Sequence, residues 1–322
     1  MEYSWNKEFF SHPGTPLRDH HRDVGLACAQ YLQEAGVEDR KLIEIAEIIG
    51  KTHDFGKYTS FFQRHLIGEN VKRGLSAHSF LSSLFSAFTV SQRFSDDFSR
   101  SIAYLCVLSH HGDLCSLSRV GERLEPDWFF IQQLKSVERN LHRISGEMDE
   151  IGIDGVSRFL DGGEEFKEII KGSLNRLEYR LIDAPRLIEY FDILMLFSAL
   201  IDADKKDAAH VVRHPRRSLK SSLVEEYKRK HFGSPTGFVD SLREDIYKNV
   251  LGSLEAQLRE GRLNRVMTLT APTGSGKTLT CLAAALRLRE HVFEDKGRIS
   301  RIIYCLPFIL SLIHISEPTR PY

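Results

Sequence analysis

Cysteine is scarce and scattered: Cys28, Cys106, Cys115, Cys281 and Cys305 form no CxxC pair. That argues against a disulfide framework or a zinc ribbon and fits a reducing cytoplasm. Cys106 and Cys115 read as core thiols. Excess charge is missing too, since 44 basic and 44 acidic residues cancel. Global electrostatics therefore neither demand nor exclude nucleic acid, and any binding must come from local patches or bound metal. Long apolar runs are absent. The most apolar stretch, Leu187–Ile201, carries Glu189 and Asp192 and falls short of the roughly 20 residues a membrane span needs. Met1–Ser11 has no apolar core of a signal peptide. A soluble cytoplasmic chain without a membrane partner is expected. With 42% hydrophobic and 27% charged residues among 322, disorder is excluded and two domains are expected.

What is present in quantity is histidine, at 14 copies. His20-His21, His53, His78 and His110-His111 fall within or at the edges of helix-like segments. His12, His65, His142, His210, His214, His231, His291 and His314 stand alone among polar neighbours and read as surface residues. The region up to residue 232 reads as all-α. Leu42, Ile45, Ala46, Ile48 and Ile49 form a stripe expected to stop at Gly50. Leu81, Leu84, Phe85 and Phe88 form another, as do Ile102, Leu105 and Leu108 before Gly112. Leu187 to Ala203 is apolar nearly all round, the pattern of a central buried helix. Residues 112–185, with glycines at 152, 155, 162 and 163, read as peripheral helices and loops.

After Gly233-Ser-Pro-Thr-Gly237 the character changes. Residues 233–261 read as a linker and an amphipathic helix, Phe238 to Leu258. Residues 262–310 read as an incomplete α/β lobe: a strand at Arg265–Ala271, a glycine-rich loop, a helix from Leu279, and a strand at Arg301–Pro307. In Pro272-Thr273-Gly274-Ser275-Gly276-Lys277-Thr278, two glycines let backbone N–H groups approach phosphates. Lys277 would reach the β- and γ-phosphates of ATP and Thr278 would ligate magnesium at a helix N-terminus.

The histidines lead to a different chemistry. Imidazole and carboxylate suit manganese, iron, nickel, cobalt or zinc. Adjacent residues on a helix point about 100° apart and cannot easily share one ion. Gly56 and Gly112 set His53-Asp54 and His110-His111 near helix ends, where the backbone can bend, and two ions about 3.5–4 Å apart give divergent side chains separate targets. A binuclear site with a bridging aspartate is expected. Two divalent ions less the charges of Asp54 and Asp204 leave a positive floor for a phosphate ester. Lys57, one turn on, is a candidate to neutralise charge in the transition state.

The order His20, His53-Asp54-x-Gly-Lys57, His78, His110-His111-Gly112, Asp202-Ala-Asp204 resembles the HD metallohydrolase superfamily. The doubled histidine and Phe197–Asp204 look like its CRISPR-associated nuclease branch. The resemblance implies one metal held by His20, His53, Asp54 and Asp204, and a second by Asp54, His78, His110 and His111. His20 is preferred to His21 because Leu17-x-x-His20-x-x-x-Val24 matches the opening helix pattern, which leaves His21 to solvent. Asp204 is preferred because the motif ends in Ala-Asp, with Asp202 a substitute. The glycine-rich loop is similar to motif I of superfamily-two helicases, and the two motifs in this order are those of the Cas-three family of type I CRISPR nuclease–helicases. That family implies cleavage of single-stranded DNA at an R-loop opened by a crRNA-guided surveillance complex (Cascade), in a prokaryotic cytoplasm. An HD-family nucleotide phosphohydrolase, and a silent fragment docking on such a complex, remain as alternatives.

The family continues with an acidic motif, a second lobe and an arginine at the ATP site. Lacking these partners for magnesium and water, this chain is expected to bind nucleotide weakly without efficient hydrolysis or unwinding, and to pack loosely beyond Gly261. Residues 311–322 are similar to a peptide that arises by translation of sequencing-adapter DNA and read as a non-native tail. Arg213–Lys220 and Lys228–His231 read as solvated basic faces.

Overall fold

The computed structural model describes residues 8–114, 116–117, 120, 128–183, 186–211, 218–297 and 299–305. Cys115, His214, most of Arg213–Lys220, the end of the 301–307 segment and the 311–322 tail lie outside the described residues. Two compact units divide at Val212 and Arg213, earlier than residue 232.

The first unit opens with a short hairpin, β1 (Phe10–His12) and β2 (Thr15–Pro16), antiparallel with Phe10 opposite Pro16. Gly14, at φ 86°, makes the reversal. The hairpin is a feature the sequence reading did not anticipate. Helices follow: α1 (Leu17–Ala35), α2 (Arg40–Thr52), a 3₁₀ turn (Phe55–Tyr58), α3 (Ser60–Leu66), α4 (Arg73–Ser76), α5 (Ser79–Ser91) and α6 (Asp97–Ser109). After them come α7 (Trp128–Glu138), α8 (Leu141–Glu150), α9 (Val156–Asp183) and α10 (Leu187–Ala208). Local chemistry sets the boundaries. Asp39 caps α2 by accepting from Lys41 N at 2.9 Å, and Asp96 caps α6 by accepting from Ser99 N at 3.0 Å. Gly36, at φ 83°, closes α1 in the left-handed conformation.

Gly50 does not stop α2, which runs on to Thr52. Instead α1 and α2 cross there: a Cβ on Gly50 would stand 2.7 Å from Gly25 Cα, and one on Gly25 would stand 3.0 Å from Glu47 O. Two facing glycines bring the backbones together and so draw His20 and His53 into reach. The core continues through Phe55, stacked on Phe85 at 3.8 Å, with Phe159 edge-on to both.

Two expectations are corrected. The stretch read as peripheral supplies core: Phe130, Val137, Ile144, Met148, Phe159 and Ile170 are buried. Gly162 and Gly163 lie inside the 28-residue α9 and mark no chain reversal; a Cβ on Gly163 would meet Leu134 at 3.7 Å, an ordinary contact. Conversely, α10 is not buried throughout. Leu187, Ile188, Tyr190 and Phe191 are exposed, while Glu189, Leu196, Ala199, Leu200 and Ala203 are buried. Packing against the core begins at Ile193. No helix among the described residues is long and apolar enough to cross a membrane.

The second unit contains α11 (Leu223–His231), α12 (Phe238–Arg259) and α13 (Lys277–Lys296). Its small core joins Val224, Tyr247, Leu251, Ala283 and Leu286. Arg265–Ala271 and Arg301–Cys305 form no strand. A strand needs a neighbour to satisfy its backbone, and among the described residues no sheet stands there. Val266 and Met267 are exposed accordingly. The expected α/β character is thus not realised in the described part of this unit.

Candidate metal centre

Each donor sits at a helix terminus or on one inward face. His20 projects from α1. His53 is the C-terminal cap of α2, Asp54 precedes the 3₁₀ turn, His78 precedes α5 and His110 follows α6. His53 and His110 keep right-handed helical backbone at these caps, and the first pair leaves the helix only at Asp54, at φ −110° and ψ 16°. Gly56 acts by size: a Cβ there would meet His78 O at 2.6 Å and His78 Cα at 2.9 Å. Its N–H donates to Ser82 Oγ at 2.8 Å, tying the turn to α5.

These elements bring the donors into two groups. Asp54, His78, His110 and His111 form one, and His20, His53, Asp54 and Asp204 form the other; within each, one donor atom per residue lies within 4.8 Å of every other. Asp54 belongs to both. Its Oδ1 lies 3.1 Å from His78 Nε2 and 3.5 Å from His110 Nε2. Its Oδ2 lies 3.3 Å from His20 Nε2 and 3.4 Å from His53 Nε2. Asp204 Oδ1 is 3.4 Å from His20 Nε2 and 3.5 Å from His53 Nε2.

The hydrogen bonds at the outer ring nitrogens determine what the inner ones offer. His53 Nδ1 is 2.8 Å from Gly50 O and His110 Nδ1 is 2.5 Å from Val107 O. A carbonyl only accepts, so Nδ1 carries the proton and Nε2 points a lone pair inward. His20 Nε2 and His53 Nε2 face each other at 3.3 Å, and His78 Nε2 and His111 Nε2 at 2.7 Å. Asp54 Oδ1 and His110 Nε2, both buried, have no well-formed hydrogen bond, while Asp54 Oδ2 pairs with Lys57 Nζ at 2.6 Å. Converging lone pairs and an orphaned buried oxygen are costly unless a cation sits among them. The donor set therefore fits one or two divalent ions with nitrogen and oxygen preference.

The electrostatics differ between the groups. Burial pulls the His20 imidazole down, but bonds to Asp204, Asp207 and Asp54 outweigh it and lift it to about 10. A field that holds a proton so firmly favours cations in general. Burial would raise the Asp54 carboxyl, yet Lys57, His53 and His78 hold it well below the carboxylate range. On the other side, burial together with His110 and His78 lowers His111 to about 3, leaving a neutral ring available as a ligand.

Lys57 is not a surface lysine. It is buried, with Nζ 2.6 Å from Asp54 Oδ2 and 3.3 Å from Ser11 O. Asp202 stands apart from the groups, paired with Lys206 Nζ at 2.6 Å. His21 is wholly buried rather than exposed, its ring 5.6 Å from that of Tyr58. His12 is not an isolated surface residue either: half-buried on β1, it sets its ring 5.6 Å from that of His20. Asp207 escaped the sequence reading altogether, although its position three residues past Asp204 places it on the same helical face.

In the second unit Gly274 and Gly276 adopt left-handed backbone, at φ 78° and 83°, just before α13. Lys277 Nζ donates to Ala271 O and Pro272 O, both at 2.7 Å, so it binds its own loop. Arg243 Nε donates to Gly274 O at 2.8 Å. Thr273, Gly274, Gly276, Lys277 and Thr278 border a cavity of about 730 Å³, while Ser275 is buried.

Fold and site thus describe a helical unit with histidine–aspartate clusters compatible with divalent metal. No family model matches the chain. Over an alignment of 300 positions that covers 85% of its length, it is 26% identical to the CRISPR-associated nuclease/helicase Cas3 of Haloferax volcanii. The match covers 31% of that protein, so the chain spans less than a third of its length. The similarity supports a related origin.

Proposed function

We propose that the first unit is an HD-type, metal-dependent phosphodiester hydrolase acting on DNA, preferentially single-stranded, in CRISPR defence. One observation carries this reading: a wholly buried aspartate, Asp54, is shared by two groups of converging donors. His20, His53, Asp54 and Asp204 would hold one ion, and Asp54, His78, His110 and His111 the other. Bound divalent ions would polarise phosphoryl oxygens and supply hydroxide near neutral pH. The chain's own part is orientation. The carbonyls of Gly50 and Val107 fix two imidazoles, and Lys57 balances the charge of Asp54 while fixing its oxygen. Lys57 would also neutralise charge in the transition state.

The similarity to a nuclease/helicase favours a polynucleotide over a small phosphate ester. A surveillance complex carrying crRNA would deliver the strand at an R-loop, and in a longer relative of this chain the glycine-rich loop would hold ATP with magnesium through Thr273–Thr278. The test is cleavage of circular single-stranded DNA beside nucleoside monophosphates, with manganese or nickel, by wild type and Asp54→Ala. Metal-dependent cutting of the circle that Asp54→Ala abolishes is the expected result. Hydrolysis of monophosphates alone would replace the reading with a nucleotide phosphohydrolase, and equal cutting by both proteins would remove it.

A further inference from the structure

The two donor groups are not equivalent behind their ligands. In His53 and His110 the outer nitrogen meets a neutral main-chain carbonyl. In His20 it meets a carboxylate: Nδ1 lies 2.6 Å from Asp207 Oδ2. Asp207 and Asp204 sit one turn apart on α10, so one helix supplies both a carboxylate that faces Nε2 of His20 and one that faces Nδ1. The His20 ring is wholly buried and held from both edges. Anionic charge is divided unequally in consequence. The His20 group contains Asp54 and Asp204, with Asp207 directly behind it. The His78 group contains Asp54 and three imidazoles.

We infer that Asp207 is a positioning residue that fixes the His20 imidazole and makes the His20–His53–Asp54–Asp204 group the tighter of two unequal cation sites. Accepting the Nδ1 proton makes Nε2, between Asp54 and Asp204, the nitrogen that would meet an ion once its own proton is displaced, and the negative charge raises the ring's basicity as a ligand. The His78 group, with a single carboxylate that it shares, fills second. This rests on the metal-centre reading above and adds to it an order of filling and a residue outside both donor groups.

The test is calorimetric titration of the full chain, stripped with a chelator, with Mn²⁺ at fixed neutral pH, for wild type, Asp207→Ala and Asp207→Asn. Wild type is expected to bind in two steps of different affinity. Asp207→Ala should weaken the tighter step by about 10–100-fold, as loss of an outer partner does. It should weaken the other step less than this, because Asp207 touches that group only through the shared Asp54. Asp207→Asn, whose amide oxygen still accepts from Nδ1, should fall between the two. A tighter step unchanged in both variants, or loss confined to the weaker step, overturns the inference. So does Asp207→Asn equal to Asp207→Ala, which would leave charge without positioning. Thermal unfolding accompanies each titration. Should Asp207→Ala not fold, Asp207→Asn decides alone: a selectively weakened tighter step supports the inference and an unchanged one refutes it. Wild type that takes up no Mn²⁺ brings down the metal-centre reading as well, which separates that failure from failure of the Asp207 role.

Discussion

The histidine–aspartate cluster of the first unit and the glycine-rich loop of the second both arise from short motifs, yet they reach opposite physical states. Around Asp54 every element is braced: facing glycines at the α1–α2 crossing, Gly56 against His78, and carbonyls behind the imidazoles. The loop at Thr273–Thr278 has no sheet beneath it among the described residues, is partly exposed, and satisfies its lysine with its own carbonyls. A motif becomes a site when a core holds its atoms against their mutual repulsion. Without that core it remains a local turn.

The sharpest way to break this contrast is at the shared carboxylate. Asp54→Asn should weaken Mn²⁺ binding at both steps by more than about 100-fold, beyond what an outer-partner loss costs. Asp204→Asn should weaken one step only, and identical isotherms for the two variants would dissolve the two-group description. Next in size is a pair of glycine substitutions. Gly56→Ala forces a Cβ to 2.6 Å from a backbone oxygen and should cost the first unit about 1–3 kcal/mol in denaturant unfolding. Gly276→Ala has room, its nearest neighbour being 3.8 Å away, but must hold φ 83°, and should cost about 1–2 kcal/mol in the second unit. Smaller still, Lys277→Ala removes only two exposed or half-buried bonds to the loop and should change unfolding by less than about 1 kcal/mol. The same variant should weaken binding of a fluorescent ATP analogue.

The smallest expected effect lies away from both sites. Arg176 grips Asp97 through two bonds of 2.7 and 2.8 Å and lowers its carboxyl to about 2. A depressed carboxyl stabilises the folded chain above the unfolded value near 4, and that contribution disappears as pH falls towards about 2. Because the pair is solvent-exposed and screened, the effect should be small. Asp97→Asn should slightly flatten the acid limb of the unfolding midpoint against pH, and an unchanged limb would remove the pair's role.

Much of the site was legible because metal-binding chemistry uses few residue types at fixed positions relative to helix ends. His53-Asp54 and His110-His111 beside glycines were readable as such. Asp207 was not, since an aspartate near a run of charged residues looks like a solvated face until His20 is seen across from it. His12 and His21 were misread for a related reason: exposure is a property of what packs around a residue, and single residues carry no record of it. The peripheral reading of residues 112–185 failed because Gly162 and Gly163 lie inside α9 without breaking it, so a glycine by itself does not mark a turn.

By itself, the sequence determined a helical first unit, the donor types, and the glycine-rich loop ahead of a helix, because periodicity and ligand chemistry are local properties. Tertiary structure alone decided which histidines meet, that Asp54 lies between two groups, that Lys57 is buried and that Asp207 backs His20. It also decided that, among the described residues, the two expected strands of the second unit find no partner. Those outcomes depend on contacts between segments far apart in the chain, and they follow from how closely helices approach and what each buried polar atom finds there.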